Sequence, residues 1–596
     1  MTTDNDKLLR RIRELEQEVA EWKARISQQR YGLVWMEVPE SFDEESKNRI
    51  PILEEDVELG FTQNDNQPTH ILIEGDNYHS LTCLNYTHRN QVDVIYIDPP
   101  YNTGNDGFIY RDERFLEERP DGQAIKGNHP MRHSTWLSFM AKRLRLAEQL
   151  LTDTGVIFIS IDDNEQANLK LLCDKIFGEQ NFVAQMIWSA GRKNDSKYIS
   201  VSHEYILIYA KSVETLKSKK VIWRERKQGI DDIYAQYQSL MRKYKDDYAA
   251  MTKGLNDWYK SLPNGHPAKD HKHYNKIDAK GIFFPDNISW PGGGGPKYEL
   301  IHPVTGKAVI VPSGGYRYTY NAMQKLLAED KIYFGEDEKR VPCQKSYLHD
   351  RETSVPYSVI YQDGRAATKR LMNLFGKKVF DNPKDEEIIQ RLISFAGHPN
   401  SIVLDFFAGS GTTMHAVSSL NAKDGGRRQC ILCQASEADI CRSVTLERNR
   451  RVMQGYTNAK GEEVKGLGGS LKYYRTAFVG RHTAREASDA DRIDLAARAG
   501  CLLALAENTL YETERRKHFQ LFTNRQGQHT AIYFSEDYSD FPTFETQVRQ
   551  LEGSICIYVF SWGDGTEFAP MFDDLPNVVV KSIPQPILDI YKSLNT

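Results

Sequence analysis

The chain has 596 residues, of which 40% are hydrophobic and 27% charged, so we expect a globular protein with several domains. No run of about 18 apolar residues offers a membrane span, and residues 1–13 have no apolar core of the kind found in secretory signals. The formal net charge of -5 excludes a uniformly basic surface but is compatible with one basic face. A cytoplasmic location is therefore expected.

At the start of the chain, apolar residues recur every three or four positions with Arg, Glu and Lys between them: Leu8, Ile12, Leu15, Val19, Trp22 and Ile26. This spacing predicts a coiled-coil-like helix over residues 1–30. The helix either pairs with a second copy or lies on its own protein, and the spacing fits both. Residues 31–66 are acidic and contain proline, which is typical of a linker.

From residue 67 to about residue 190, short apolar runs alternate with amphipathic segments, which is typical of the first half of a doubly wound α/β sheet. The predicted strands are Ile71–Ile73, Val92–Ile97, Val156–Ile161 and, further along, Glu204–Ala210; the predicted helices are Leu137–Leu151 and Glu165–Phe177. Asp76 and Asp98 follow the first two strands, at the sheet edge where such folds bind ligands.

The residues Asp98-Pro99-Pro100-Tyr101 come directly after the apolar run that ends at Ile97. An exocyclic amine on an aromatic base is a poor nucleophile because its lone pair is delocalised. A carboxylate at Asp98 and the backbone carbonyl of Pro99 can each accept one N–H of such an amine and so localise the lone pair. Pro100 stiffens the turn, and Tyr101 offers a face on which an extruded base stacks, worth about 1 to 3 kcal/mol.

Residues 191–375 lose this regularity and are rich in Tyr, Lys, Gly and turn signals, so they are predicted to form an inserted module. Residues 190–280 hold 19 Lys and Arg against 11 Asp and Glu, a surplus of eight positive charges. Either a solvated lysine-rich surface or a phosphate-binding groove explains this surplus.

The α/β pattern returns in residues 376–480, with a predicted helix at Glu386–Ala396, a strand at Ile402–Phe406, a helix from Thr412 to about Leu420 and a strand at Cys430–Gln434. Cys430 and Cys433 are interpreted as core thiols. A structural zinc site needs four ligands, and no second cysteine pair has a suitable spacing, although Cys441 leaves zinc open as an alternative. No metal is expected.

A glycine-containing turn joins that strand to the following helix and consists of Asp405, Phe406, Phe407, Ala408, Gly409, Ser410, Gly411 and Thr412. Glycines let the backbone approach a bound cofactor, and the N–H groups at the helix start can bind a carboxylate. Met414 stands where a dinucleotide motif needs a third glycine, and no lysine follows the turn as in nucleotide triphosphate loops. Residues 481–596 are predicted to form an α+β C-terminal domain, with a helix at Arg492–Leu510 and strands at Ala531–Phe534 and Ser554–Phe560.

The two motifs together resemble the amino-methyltransferase family, in which the first turn holds the target base and the second the methionine part of S-adenosyl-L-methionine. Their order, with a long insertion between them, resembles the circularly permuted beta class, whose insertion is a target-recognition domain. Segments such as Ile73–Asn77, His203–Leu207, Asp363–Thr368 and Phe380–Lys384 are similar to the Mod subunit of type III restriction-modification systems. The resemblance implies a Rossmann-like methyltransferase fold and a DNA adenine-N6 methyltransferase acting on a flipped base.

By the same resemblance, Asp76 and Asn77 approach the cofactor adenosine, Lys384 its methionine end, and either Gln434 or Glu437 its ribose. Asp98 also borders the cofactor. Tyr205, or less favourably Phe108 or Tyr110, is expected to face Tyr101 across the base.

The expected partners are double-stranded DNA, a second copy of the chain and a helicase-nuclease (Res) subunit. A solitary methyltransferase, a cytosine-N4 methyltransferase, an enzyme acting on RNA and a DNA-binding specificity scaffold are the alternatives. The cytosine-N4 enzymes typically have Ser at the position of Asp98.

Overall fold

The computed structural model describes residues 33, 35–38, 40, 49–63, 67–103, 129–189, 197–563 and 566–594. The predicted N-terminal helix, Phe108 and Tyr110 lie outside these residues. The chain divides into two compact units, of which the second comprises residues 222–356 and the first the remainder. Among the described residues, no helix is both long and apolar enough to cross a bilayer.

The first unit begins with six strands and four helices: β1 (Ile50–Glu55), β2 (Thr69–Glu74), α1 (Asn77–Thr87), β3 (Val92–Ile97), α2 (Ser134–Leu150), β4 (Leu151–Ile161), α3 (Gln166–Phe177), β5 (Phe182–Ser189), β6 (His203–Ala210) and α4 (Val213–Ser218). The predicted strand at Val92–Ile97 is confirmed at both ends. All its residues except Asp93 are buried, as expected of a central strand in a parallel sheet.

The second unit contains β7 (Glu225–Arg226), α5 (Ile230–Tyr244), α6 (Tyr248–Ser261), β8 (Lys276–Asp278), β9 (Gly281–Asn287), α7 (Tyr320–Ala328), β10 (Ile332–Tyr333), β11 (Cys343–Tyr347) and β12 (Thr353–Ser354). Four of its strands form a sheet in the order β10-β11-β9-β8. The second unit covers fewer residues than the predicted insertion of residues 191–375. The chain on either side of residues 222–356 forms strands of the first unit's sheet.

The first unit resumes with β13 (Val359–Tyr361), α8 (Arg365–Phe375), α9 (Glu386–Ala396), β14 (Ile402–Asp405), α10 (Thr412–Asp424), β15 (Gln429–Gln434), α11 (Glu447–Gln454), β16 (Gly455–Thr457), β17 (Glu463–Lys465) and β18 (Ser470–Val479). Cys430 and Cys433 are buried free thiols in β15, as predicted, and burial raises the pKa of both thiols well above its ordinary value.

The main sheet has ten strands in the order β1-β18-β2-β15-β14-β3-β4-β6-β5-β13. Eight of them run in the same direction, whereas β1 and β6 run against their neighbours. Strands β14 and β15, from late in the chain, lie between the early strands β2 and β3. This arrangement confirms the predicted mostly parallel α/β fold.

The prediction of a linker over residues 31–66 is wrong for Ile50–Glu55, because these residues form β1, which pairs antiparallel with β18. Ile50, Ile52 and Leu53 are fully buried there. The strand is short and ends in two glutamates, and its partner strand lies more than 400 residues away in the sequence, so the local pattern alone did not reveal it.

The chain ends with α12 (Asp489–Arg498), α13 (Gly500–Ala506), β19 (Tyr511–Arg515), β20 (Phe519–Thr523), β21 (Gln528–Tyr533), α14 (Phe541–Val548), β22 (Ser554–Phe560), β23 (Val578–Ile583) and α15 (Gln585–Leu594). The predicted helix at Arg492–Leu510 is two helices. The predicted C-terminal domain also shares the core of the first unit: Tyr591 is buried and its hydroxyl donates to the backbone oxygen of Pro51 at 3.1 Å.

We expect Leu588→Ala in α15 to destabilise the whole first unit by about 2 to 5 kcal/mol, because it removes a fully buried side chain from that shared core. Thermal unfolding should then show the main transition moving to lower temperature. The matched variant Val579→Ala, at a position 57% exposed, should change it little. A shift confined to a separate minor transition would contradict the shared core.

Candidate active site

A cleft opens at the carboxyl edge of the main sheet, where β2, β15, β14 and β3 end side by side. It encloses about 960 Å³ including the solvent-filled space at its open mouth. The structure brings the following predicted site residues to its lining: Asp76, Asn77, Asp98, Pro100, Lys384, Asp405, Phe406, Phe407, Ala408, Gly409, Ser410, Thr412, Gln434 and Glu437. The two sequence motifs therefore face one shared space.

The turn after β3 is held from two directions. Trp136 Nε1 of α2 donates to the backbone oxygen of Pro100 at 2.8 Å. Asn102 has a left-handed backbone conformation with φ 60°, which Asn tolerates better than most residues, and its side chain donates to Glu165 at 2.6 Å. Glu165 is itself buried and lies 2.5 Å from His133 Nδ1. The turn is thus fixed before any ligand arrives.

Asp98 presents an unusual carboxylate. Its Oδ1 is buried and receives no well-aligned hydrogen bond from the described part of the chain, although Lys384 Nζ lies 3.3 Å away and the carboxylate makes weaker hydrogen-bonding contacts with Tyr101 and Lys384. Burial raises the pKa of Asp98 and the charge of Glu204 raises it further, while the charge of Lys384 and these weaker contacts act in the opposite direction. The carboxylate is therefore an acceptor that a ligand can use.

Lys384 gives its hydrogen bonds to other atoms. Its ammonium donates to Glu204 Oε2 at 2.6 Å and to the Tyr101 hydroxyl at 2.7 Å. It also lies 4.8 Å from the centre of the Tyr101 ring and 5.7 Å from that of Trp188. Burial alone would lower the pKa of Lys384, but the Asp98 and Glu204 carboxylates hold it above its ordinary value.

The glycine turn after β14 has backbone conformations that favour glycine, with φ of 50° at Gly409 and 72° at Gly411. A Cβ added at Gly411 would lie 2.4 Å from Asn449 Nδ2. Gly411 itself does not line the cleft, because this packing places it on the inner side of the turn.

Residues far along the chain support the same turn, and sequence reasoning missed them. Arg448 in α11 is buried and donates to Thr412 Oγ1 at 2.7 Å and to Ser410 Oγ at 3.0 Å. Thr445 lies in a short π-helix that leads into α11, and its hydroxyl donates to the backbone oxygen of Gly409 at 2.6 Å. No local motif marks these residues, since their role depends on packing against the turn.

Asp405 ends β14 inside the cleft and is only 3% exposed. It accepts hydrogen bonds from the Phe407 backbone N–H at 3.0 Å and from Thr413 Oγ1 at 2.5 Å. Burial is the largest influence and raises the pKa of Asp405 to about 7, against the lowering effect of these two bonds.

A buried arginine holds the two cleft residues that follow β2, Asp76 and Asn77, through hydrogen bonds. Arg143 of α2 is 0% exposed and its Nη2 lies 3.2 Å from both carboxylate oxygens of Asp76. Its Nε donates to Asn77, whose own side chain donates to the backbone oxygen of Phe406 at 3.0 Å. Asp76 also accepts from the Tyr78 N–H and caps α1.

Gln434 and Glu437 are the two residues predicted to bind the cofactor ribose. Gln434 Oε1 accepts the Gly409 N–H at 2.7 Å, so one of its two acceptor positions is used inside the glycine turn. Glu437 also lines the cleft.

Three further predicted residues, Pro99, Tyr101 and Tyr205, lie outside the lining of the cleft. The Tyr205 hydroxyl donates to Asp163 at 2.8 Å. Glu204, its neighbour in the strand, accepts a hydrogen bond from the Tyr101 hydroxyl at 3.1 Å. Neighbouring residues of a strand point to opposite faces. Sequence reasoning drew attention to this segment but did not single out Glu204.

Comparison with known proteins gives a consistent set of relatives. The N6_N4_Mtase family, described as DNA methylase, matches residues 92–449. The Mod subunit of the type III restriction-modification enzyme EcoP15I from Escherichia coli is 37% identical over 76% of this chain and 69% of its own length. The StyLTI Mod subunit from Salmonella typhimurium is 34% identical over 65% of this chain and 56% of its own length.

The type II methyltransferase M.KpnI from Klebsiella pneumoniae is 31% identical over 68% of this chain and 90% of its own length. Among solved structures, the DNA modification methylase TTHA0409 of Thermus thermophilus, complexed with S-adenosyl-L-methionine, aligns with a TM-score of 0.28 at 14% identity, covering 68% of this chain and 99% of that one.

We expect Arg143→Met to destabilise the first unit by about 3 kcal/mol in urea unfolding, because it leaves Asp76 and Asn77 without their buried partner. Arg143→Lys should not restore stability, since lysine lacks the forked donor. Arg145→Met, on the exposed face of the same helix, is the matched control. Equal stability of the two Met variants would show that the buried pairing is dispensable.

We expect Asp405→Asn to alter how stability depends on pH. Because burial raises the pKa of Asp405 from about 3.8 to about 7, the native state keeps a proton that the unfolded chain releases, and this stabilising contribution is lost as pH rises from the ordinary Asp pKa to about 7. The free energy of unfolding of the wild type should therefore fall more than that of Asp405→Asn between about pH 4 and about pH 7, and the difference should stay constant above that range. Denaturant unfolding of the cofactor-free protein measures this, and a difference between the two that is already constant below that upper limit would refute the shifted pKa.

Proposed function

The chain belongs to the DNA methylase family as an S-adenosylmethionine-dependent DNA methyltransferase, and we propose that it methylates N6 of an adenine turned out of the duplex. The observation that carries the proposal is the buried Oδ1 of Asp98, which receives no well-aligned hydrogen bond from the described residues and lines the same cleft as the glycine turn. An amine N–H is the donor that such an acceptor lacks.

The residues of the cleft fit the cofactor. The turn from Phe406 to Thr412 lines the cleft except at Gly411, and Gly409, with φ 50°, brings its backbone to the cleft without a side chain in the way. We propose that this turn holds the methionine part and that Asp76 and Asn77 hold the adenosine. Glu437 is the better candidate for the ribose hydroxyls, because one of the two acceptor positions of Gln434 is already in use.

The Lys384 side chain, in contrast, makes its hydrogen bonds to Glu204 and Tyr101. We therefore place it on the side of the target base rather than at the methionine end that the resemblance implied.

In the proposed reaction, Asp98 and the Pro99 carbonyl accept the two N–H groups of the target amine and make its lone pair available. S-adenosylmethionine, when bound, would supply a sulfonium methyl group for the nitrogen, and the electron pair of the broken C–S bond would remain on sulfur. The nitrogen loses one of its two protons in exchange for the methyl group, and the open mouth of the cleft gives that proton a route to solvent. Tyr101 stacks on the base, and the buried walls of the cleft exclude water. Holding the reactants in this geometry accounts for several kcal/mol of the barrier.

The wider role is a proposal that rests on the relatives. We propose that the chain modifies double-stranded DNA as the Mod subunit of a type III system, that residues 222–356 read the target sequence, and that the chain pairs with a second copy and with a helicase-nuclease subunit. The chain matches the Mod subunits over 56% to 69% of their length. Action on DNA agrees with the cytoplasmic location expected from the sequence.

We expect Asp98→Ala to abolish methyl transfer to DNA, whereas binding of S-adenosylmethionine, measured by calorimetry, should be weakened but present. Asp153→Asn, which also removes one acidic side chain but from an exposed position, should retain activity. In the wild type, transfer should decline as pH falls through the raised pKa of Asp98, because the protonated carboxyl accepts the amine less well. Wild-type rates from Asp98→Ala would remove Asp98 from the mechanism.

Sequencing of modified bases in DNA from cells that express the chain identifies the atom that is methylated. We expect N6-methyladenine at one short recognition sequence. N4-methylcytosine at that sequence would replace the proposal with the cytosine-N4 alternative.

A further inference from the structure

Glu204 is the second residue of β6, a strand that lies between β4 and β5 and is antiparallel to both. Its register pairs it with Trp188, and directly paired residues lie on the same face of a sheet. Glu204 Oε2 accepts a hydrogen bond from the Tyr101 hydroxyl at 3.1 Å as well as one from Lys384 at 2.6 Å. Glu204 therefore enters the site from the side opposite the glycine turn and meets the two residues that surround Asp98.

The Lys384 ammonium divides its contacts unevenly between the two carboxylates. It lies 2.6 Å from Glu204 and 3.3 Å from Asp98, and only the shorter contact is a well-aligned hydrogen bond. A buried ammonium next to a single carboxylate would form a short charge-assisted hydrogen bond with it. Here the second carboxylate competes for the ammonium: Glu204 takes the short contact and Tyr101 accepts a second N–H, so Asp98 is left with a longer and weaker contact.

We propose that Glu204 is a positioning residue that draws Lys384 away from Asp98, so that Asp98 Oδ1 remains open to the amine of the target base. The inference rests on the proposed function and deepens it, because it explains how an acceptor beside a lysine stays without a well-aligned hydrogen bond. Without Glu204, Lys384 would close onto Asp98 and compete with the target amine for the same oxygen.

The charges around Asp98 define what the loss of Glu204 should do. The titratable groups that face Asp98 are Lys384, Glu204, Tyr101, Tyr96 and Asp405. Glu204 raises the pKa of Asp98 and Lys384 lowers it. Removing the Glu204 charge and letting Lys384 approach both lower the pKa of Asp98, so the two effects have the same sign.

The test compares the wild type with Glu204→Gln, Glu204→Asp and Glu214→Gln, the last a loss of the same charge at an exposed position on α4. Single-turnover methylation of a duplex carrying the recognition sequence is measured across pH. We expect Glu204→Gln to reduce the plateau rate by about 10- to 100-fold and to move the acid limb to lower pH. Glu204→Asp should restore part of the rate, and Glu214→Gln should behave as the wild type.

Two further measurements distinguish a role of Glu204 in positioning Lys384 from a general loss of folding or of cofactor binding. Calorimetric binding of S-adenosylmethionine and the melting temperature should stay close to wild type in Glu204→Gln. A crystal structure of that variant should show Lys384 Nζ hydrogen-bonded to Asp98 Oδ1 at roughly 2.8 Å.

Glu204→Gln with a wild-type rate overturns the inference. So does a reduced rate with an unmoved acid limb and no recovery in Glu204→Asp, because that pattern indicates a structural role only. If the wild type itself transfers no methyl group to DNA adenine, the proposed function fails, and the crystal structure of the variant still decides whether Glu204 holds Lys384.

Discussion

Four parallel strands, β2, β15, β14 and β3, lie side by side and end at one edge of the sheet, and the rest of the site depends on this arrangement. Each is followed or terminated by a polar side chain: Asp76, Gln434, Asp405 and Asp98 respectively. The arrangement requires strands from late in the chain to insert between early ones. Their hydrogen-bonded register therefore determines how the two motifs face each other.

Placing several carboxylates at one buried edge is unfavourable unless each is compensated. The protein compensates them in different ways. Asp76 pairs with the buried Arg143, and Asp98 shares Lys384 with Glu204. Asp405 has no cation among the groups that shift its pKa, and burial raises that pKa to about 7. The electrostatics of the cleft thus differ from one strand end to the next.

The sequence predicted those parts of the site in which neighbours in the chain are also neighbours in space. The strand Val92–Ile97 is six contiguous residues, five of them buried, and the two turns are local motifs, so both were visible. Arg143, Arg448 and Glu204 were missed because each acts on a residue at least 36 positions away. Strand β1 was missed for the same reason, since Ile50 pairs with Val479. Glu204 shows a finer limit: the sequence drew attention to its segment, but the contact of Glu204 with Tyr101 depends on how the strand packs and could not be predicted from the segment alone.

The start of α9 joins the two sides of the cleft. Lys384 contacts Asp98 on the side of the proposed target base, whereas Glu386, two residues later, lies 3.7 Å from Arg448, which supports the glycine turn. Asp385 between them is fully buried and accepts from Arg370 at 2.7 Å and from Gln362 at 3.0 Å. One anchored segment of three residues therefore contacts both the lysine beside Asp98 and the arginine that supports the glycine turn. The two motifs, far apart in the sequence, share this support as well as the cleft.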